Sequence, residues 1–418
     1  MRVLVLGSGV IGIASAYYLN RAGHDVSIVD RQPQPAMETS FANGGQISWG
    51  AASPWAAPGI PLTALQWMFR RHSPLVLRPR LDPAMWTWLL HMLANCTPAR
   101  YLINKERLLR LARYSHTCLV ELRREIDINY DARAHGTLVL YRDSANLDAT
   151  VNNAAQLEHW QIPYRILDRA GCLAHEAALT AAQNKIAGGI HFPLDESGDC
   201  HKFCEALAQR SSSNGVQFLA PTRVQRFSAD GGRITHVVTD AGKLEADAYV
   251  LACGSYSPLL LHSLGVKLPV YPVKGYSITF PVLDDAAAPQ GTLTDETYKV
   301  VITRLGNRLR AAGTAELAGY NLDLKPARLA TLLHVVRDLF PHAGDLSQAT
   351  PWAGLRPMTP DNPPVIGATP YRNLFLNTGH GALGWTMACG SGRLVTDIIS
   401  GQKPEIELEG LTLARFTR

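Results

Sequence analysis

The chain opens on Arg2–Leu6, an apolar run that turns at once into Gly7-Ser8-Gly9-Val10-Ile11-Gly12. An apolar run without alternation reads as a parallel strand buried on both faces. Residues 11–22 then place apolar side chains at helical spacing, Gly23 stops the helix, and residues 25–30 make a second strand ending on the carboxylate of Asp30. Strand, glycine turn, helix and terminal acid form a complete β-α-β unit for a dinucleotide. Gly7 makes the tight turn, Gly9 lets backbone approach a pyrophosphate, and Gly12 lets the helix pack on the strand with its first amides facing phosphate. Asp30 is placed to accept from a ribose hydroxyl. Val3, Val10, Ile11, Tyr17 and Arg31 of the same unit are assigned to the surroundings of the dinucleotide.

The fingerprint does not by itself separate FAD from NAD. Its position at residue 7, with further glycine-rich segments near residue 380, favours a cofactor embraced by distant parts of one chain, which is FAD. At 418 residues the chain is long enough for a cofactor domain and a substrate domain. The expected fold is α/β: a Rossmann-type FAD-binding domain from 1–60, 195–265 and 350–418, and a second α+β domain from 61–194 and 266–349 built on a mixed or antiparallel sheet.

A net charge of +5 spread along the sequence forms no concentrated basic patch, so nucleic acid is not an expected partner. Seven cysteines without paired spacing argue for a reducing compartment. Cys200, His201 and Cys204 lack a second ligand pair and read as helix residues, so no metal site is assigned. No signal peptide precedes the fingerprint, and no apolar stretch reaches the ~20 residues needed to cross a bilayer. Residues 61–101 interleave Trp, Leu and Arg, as in Trp67-Met68-Phe69-Arg70-Arg71-His72 and Trp86-Thr87-Trp88-Leu89-Leu90. That pattern suits an interfacial membrane anchor and equally suits ordinary amphipathic helices.

Further on, the spacing predicts helices over 105–125, 146–158, 203–211 (capped near Asp199) and 385–400. It predicts strands over 137–142, 216–219, 223–227, 234–239, 249–252, 274–280, 299–303, 308–312 and 373–377. The Asp230-Gly231-Gly232 and Asp240-Ala241-Gly242 turns mark a meander. Thr378-Gly379-His380-Gly381-Ala382-Leu383-Gly384 makes a second strand, glycine turn and helix aimed at an anion or a ring edge.

These motifs, with Glu38-Thr39-Ser40-Phe41-Ala42-Asn43-Gly44-Gly45-Gln46-Ile47-Ser48, Pro54-Trp55-Ala56-Ala57-Pro58-Gly59, Asp195-Glu196-Ser197-Gly198-Asp199, Ala252-Cys253-Gly254-Ser255, Lys274-Gly275-Tyr276-Ser277 and Gly354-Leu355-Arg356-Pro357, span the chain. Together they resemble the D-amino acid oxidase and glycine oxidase superfamily, most closely the bacterial D-amino acid dehydrogenases. The resemblance implies FAD held by Gly7, Gly9, Gly12 and Asp30. Ser40, Asn43, Gly44, Gly45 and Gln46 would close on it from one side, and Gly379, Gly381, Gly384, Trp385 and Thr386 from the other. Val224 would contact the adenine, with Gly254 nearby. Two departures are Asp30, where many relatives carry Glu, and Gly44, where close relatives often carry Ala.

Oxidising an amino acid requires a cation for the carboxylate and the α-hydrogen aimed at the flavin, which orientation largely supplies. By resemblance Arg356 binds the carboxylate, the alternative being a structural ion pair. Tyr298, with Tyr276 and Tyr271 as alternatives of register, lies where relatives offer a hydroxyl to the substrate. His380 acts through its ring or its backbone. The resemblance implies oxidative deamination of a D-amino acid and electron transfer to a quinone or other acceptor besides oxygen. It also implies peripheral contact with the cytoplasmic side of the inner membrane. The alternatives are an oxidase or dehydrogenase of glycine, sarcosine or a cyclic imino acid such as cis-4-hydroxy-D-proline, a flavin-binding protein without turnover, and an NAD-linked enzyme.

Overall fold

Six strands carry the glycine turns, in the order Val365–Ala368, Leu374–Thr378, Ala248–Leu251, Arg2–Leu6, Asp25–Val29 and Gln217–Leu219. All are parallel except Val365–Ala368, which pairs antiparallel at the edge. Val3 to Leu6 are all buried, as a strand covered on both faces requires. The computed structural model describes the chain apart from residues 51, 69–71, 153, 154 and 418.

Beside this sheet three helices stack on one another and approach through glycine. Val10–Arg21 packs against Gly384–Ile399, which in turn packs against Pro98–Glu125. A β-carbon on Gly392 would lie 2.8 Å from the backbone carbon of Ala14, and one on Gly390 would lie 2.8 Å from the Cα of Ser115. A β-carbon on Gly12 would come within 1.8 Å of the Gly7 carbonyl oxygen, so that glycine locks helix to strand as its place in the fingerprint implies. The long helix starts at Pro98, seven residues before the expected 105, because Thr97 caps it by accepting from the Arg100 amide.

A second sheet of nine strands runs Thr350–Met358, Tyr271–Pro281, Arg308–Leu317, Val300–Leu305, Thr292–Asp295, Thr137–Tyr141, Gly188–Phe192 and Arg165–Asp168, with Leu75–Leu77 paired to Arg308–Leu317. It is mixed: two pairings are parallel and the rest antiparallel. Leu293, Val300, Ile302 and Leu309 pack in one core with Leu332, Val335, Val336 and Leu339 of the helix Pro326–Leu339. The strand Thr350–Met358 pairs with Tyr271–Pro281 along its whole length, so residues 350–358 lie in this sheet and not in the first, where the expected boundary had put them. The three-stranded meander Val224–Asp230, Arg233–Thr239 and Gly242–Leu244 forms as its turns predict.

Residues 60–101 supply the helices Ile60–Met68 and Pro83–Asn95; the Phe69-Arg70-Arg71 part of the basic and aromatic segment lies outside the described residues. Among the described residues no helix is long and apolar enough to cross a membrane. Among the elements not read from sequence are the strands Leu75–Leu77, Arg165–Asp168, Gly188–Phe192, Thr292–Asp295, Thr350–Met358 and Val365–Ala368 and the helix Pro326–Leu339. The strands are short or interrupted by glycine and proline, and tertiary pairing decides them.

The crossing of the first and last long helices rests on the missing side chain of Gly392. Gly392→Ala is expected to lower stability by about 1–2 kcal/mol, overpacking outweighing the ~1 kcal/mol gain in helix propensity. The check is a urea midpoint that falls at unchanged m-value.

Candidate functional site

A cavity of about 680 Å³ is lined by residues from both sheets. The fingerprint enters it through Gly7, Gly9, Val10 and Ile11. The helix Val10–Arg21 begins on Gly9 with no side-chain cap, and the Val10 amide donates to Ser40 Oγ at 3.0 Å. Uncapped amides and the helix dipole make this end a place for phosphate. Asp30 is held ready at the cavity wall: one carboxylate oxygen accepts from the Ser8 amide at 2.6 Å and hydroxyl at 2.8 Å, the other from the Gln32 amide at 2.8 Å. Beside it Arg31 lies 3.9 Å over the Tyr256 ring and pairs with Glu38 at 2.5 Å. Val224 and Gly254 also line the cavity.

The Ser40 to Gln46 loop is fixed from within. Asn43 Oδ1 accepts from the Gly45 amide at 3.0 Å, Thr303 donates to the Gly44 carbonyl at 2.7 Å, and Gln46 Nε2 donates to Thr137 at 3.1 Å. Gly45, at φ +70°, turns the chain where a β-carbon would press on Leu305 and Thr303. Ser48 then donates to Asp195, whose carboxyl burial pushes up to about 6. Facing this loop, the Gly379 to Thr386 turn feeds the uncapped helix Gly384–Ile399. Thr386 accepts from the Ser48 amide at 3.1 Å, joining the two walls. Trp385 packs on Phe203 and Tyr130.

The His380 ring is buried, its Nε2 paired with Ser391 Oγ at 2.9 Å, and burial drops its pKa to about 3. It is a neutral imidazole near neutral pH, not a proton shuttle, and its Nδ1 has no hydrogen-bond partner. Four assigned residues stand back from the cavity. Val3 is locked between two strands, Gly12 against Gly7, and Tyr17 edge-on to Tyr18 in the core. Tyr298 turns away: its hydroxyl meets His334 Nε2 at 3.3 Å and Arg142 lies 5.1 Å over its ring. Lys299, at φ +52°, takes the cavity position next to it. The other tyrosine hydroxyls are committed too, Tyr276 to Glu316 and Tyr271 to Asp82. Lys274 is fully buried against Glu316, Asn321 and Asp323.

Arg356 lines the cavity without a carboxylate partner among the described residues; desolvation lowers its pKa to about 10, still far above neutrality. Its guanidinium donates to the Thr314 carbonyl at 3.0 Å and lies 5.7 Å from the centre of the Trp55 ring. A β-bulge sets this up. The register of Tyr271–Pro281 with Arg308–Leu317 slips between Lys274 and Tyr276, leaving Gly275 opposite an extra residue. Thr314 sits there at φ +58°, a strained conformation for a β-branched residue, and this aims its carbonyl at Arg356. A β-carbon on Gly275 would fall 2.5 Å from the guanidinium carbon. Across the strand pair, Gly354 opposes Gly275 and makes room for the Trp352 ring, 2.1 Å from where its β-carbon would be. Glycines at 275 and 354 are visible in the sequence, but their pairing and the strain at Thr314 carry no local signal.

The donor set suits FAD. Two uncapped helix N-termini and a glycine turn match a pyrophosphate, a carboxylate matches a ribose, and the close-approaching glycines with a buried unsatisfied nitrogen at His380 leave room and one polar contact for a ring system. A profile described as DAO, FAD dependent oxidoreductase, matches residues 2–398. The chain belongs to this family of FAD dependent oxidoreductases. Relatives named D-amino acid dehydrogenase match it end to end. The one from Bradyrhizobium diazoefficiens is 58% identical over 416 residues, covering 100% of this chain and 99% of its own. The one from Rhizorhabdus wittichii is 57% identical, covering 100% of both. Among solved structures, glycine oxidase from Geobacillus kaustophilus superposes with a TM-score of 0.76 at 24% identity over 99% of both chains. L-proline dehydrogenase from P. horikoshii does so with 0.77 at 17% identity, over 100% of this chain and 98% of that one. At those identities the likeness is one of fold.

Gly275→Ala is expected to displace the Arg356 guanidinium while leaving FAD bound. Affinity for a simple carboxylate should fall about tenfold or more, read as the titration midpoint of the flavin's visible spectrum.

Proposed function

We propose that the protein oxidises D-amino acids of about the size of D-alanine to the 2-oxo acid and ammonia, using its FAD, and passes the electrons to a quinone in place of oxygen. The observation that carries this reading is Arg356, a desolvated guanidinium lining the FAD cavity with no acid to neutralise it among the described residues. A bidentate pair with the substrate carboxylate would supply the missing charge and fix the amino acid in one orientation. The end-to-end relatives named D-amino acid dehydrogenase support the D configuration and an acceptor other than oxygen.

In this reading the six-stranded sheet carries the cofactor through Gly7, Gly9, Asp30, Ser40, Gly45, Gly379 and Gly384. The nine-stranded sheet carries the substrate. Bound FAD supplies the hydride acceptor for the α-hydrogen. The chain's own part is positional: the Thr314 carbonyl and the space over Gly275 hold Arg356 still, Trp55 and Trp352 wall the site, and Val301, Ala312 and Gly313 line it beside them. No titrating ring is required of His380, which agrees with its neutral state, and the imine formed by oxidation is hydrolysed by water.

The test is anaerobic mixing of the yellow protein with D-alanine, L-alanine, glycine, sarcosine and cis-4-hydroxy-D-proline. Bleaching of the visible band by D-alanine and not L-alanine, reversed faster by a quinone than by air, is the expected result. Bleaching by glycine or the imino acid alone, or reoxidation by air, overturns it. Arg356→Met should keep FAD and lower kcat/KM for D-alanine about 10²- to 10³-fold, the scale for losing one partner of a desolvated charge pair.

We further propose that the protein rests on the cytoplasmic face of an inner membrane. Support comes from apolar side chains turned to solvent: Leu62 and Leu65, Trp86, Leu90 and Leu93 on one helix face, and Leu102 and Ile103, with Leu62 71% and Leu90 66% exposed. Exposed large apolar side chains gathered in one segment suit an apolar contact surface. Residues 60–103 also carry five arginines against one aspartate, a balance that favours an anionic surface. Wild type should float with vesicles containing phosphatidylglycerol and less with neutral ones, and Leu90→Asp should float with neither while retaining activity. Equal flotation of both proteins would sink this part.

A further inference from the structure

A second cation without a counter-charge lies behind the cavity wall. Lys105 is 5% exposed on the helix Pro98–Glu125. Its ammonium donates to Ser53 Oγ at 3.2 Å and lies 5.9 Å from the centre of the Tyr101 ring, one turn earlier. No carboxylate pairs with it among the described residues, and desolvation lowers its pKa. The contrast with Lys274 is informative. That ammonium is also buried, but Glu316, Asn321 and the Asp323 carbonyl surround it. Burying an ammonium without such partners is costly, and a fold retains it where the charge serves something nearby.

What is nearby is the cavity. Ser53 lines it, two residues before Trp55, whose ring faces the Arg356 guanidinium. The Lys105 ammonium donates to the Ser53 oxygen, and the Tyr101 hydroxyl, which burial keeps protonated, hydrogen-bonds the same hydroxyl group. With the ammonium on its oxygen, the serine points its own proton away from the lysine, to be shared between Tyr101 and the cavity. We propose that Lys105 is a positioning residue of the substrate site, acting through Ser53 to direct a hydroxyl donor and a second positive charge at the carboxylate held by Arg356. The inference rests on the reading of Arg356 as the carboxylate site. It explains why the Ser53-Pro54-Trp55 segment and the helix Pro98–Glu125, far apart in sequence, meet on a polar contact inside an apolar wall.

The experiment uses the FAD-loaded enzyme and propionate, which is the carboxylate of D-alanine without its amine, titrated through the visible flavin spectrum. KM and kcat for D-alanine are measured alongside. Lys105→Met and Ser53→Ala should each weaken propionate binding and raise KM about tenfold with kcat within about twofold. The double variant should be no worse than either single one, because both remove the same unit. Loss of propionate affinity in Arg356→Met, with both other variants within twofold of wild type, overturns the role of Lys105 and leaves the Arg356 reading standing. Unchanged affinity in all three overturns both. Should Lys105→Met fail to fold, Ser53→Ala decides by itself, since it removes the hydroxyl and leaves the buried lysine in place.

Discussion

A half-buried guanidinium with no acid to pair with among the described residues sets the form of the cavity wall. The charge of Arg356 is met by the dipole of the Thr314 carbonyl, and the neighbouring backbone is bent to provide it. The bulge at Gly275, the left-handed Thr314 and the cross-strand glycine pair are each unfavourable taken alone. They persist because the nine-stranded sheet on both sides over-determines them. Strain and unpaired charge therefore coincide at one point on the cavity wall, with the rest of the sheet regular.

The other wall follows a different logic. Two helices, one near each end of the chain, start at the cavity without side-chain caps, an arrangement suited to an anion. They come together because Gly390 and Gly392 let the last long helix settle against its neighbours at backbone distance. Helix packing thereby sets where the two uncapped helix ends stand at the cavity.

Local signals read well and distant ones did not. The fingerprint, Asp30 and the second glycine turn were legible because strand, turn and helix follow one another within a few residues. The cavity-lining places of Ser40 to Gln46, Val224 and Arg356 followed from the motifs that carry the family resemblance. Val3 and Tyr17 were drawn in by adjacency to the fingerprint, although strand pairing and core packing turn them inward. Tyr298 stands back from the cavity with its hydroxyl on His334, and the next residue, the left-handed Lys299, lines it instead. Lys105 could not be found, since its meaning depends on a contact across 52 residues of sequence. The strand Thr350–Met358 went to the wrong sheet because its partner is set by tertiary pairing alone.

The order of strands in the first sheet also has a temporal side. Arg2–Leu6 is made well before one of its two partners, Ala248–Leu251, which follows almost 250 residues later, and before the strand beyond that, Leu374–Thr378, later still. Until then this largely apolar strand has a bare edge, the kind of surface that invites mispairing. The uncapped helix at Gly384 joins the cavity later again. A chain cut short near residue 370 would therefore hold the fingerprint and the Ser40 to Gln46 loop without the glycine turn that faces them.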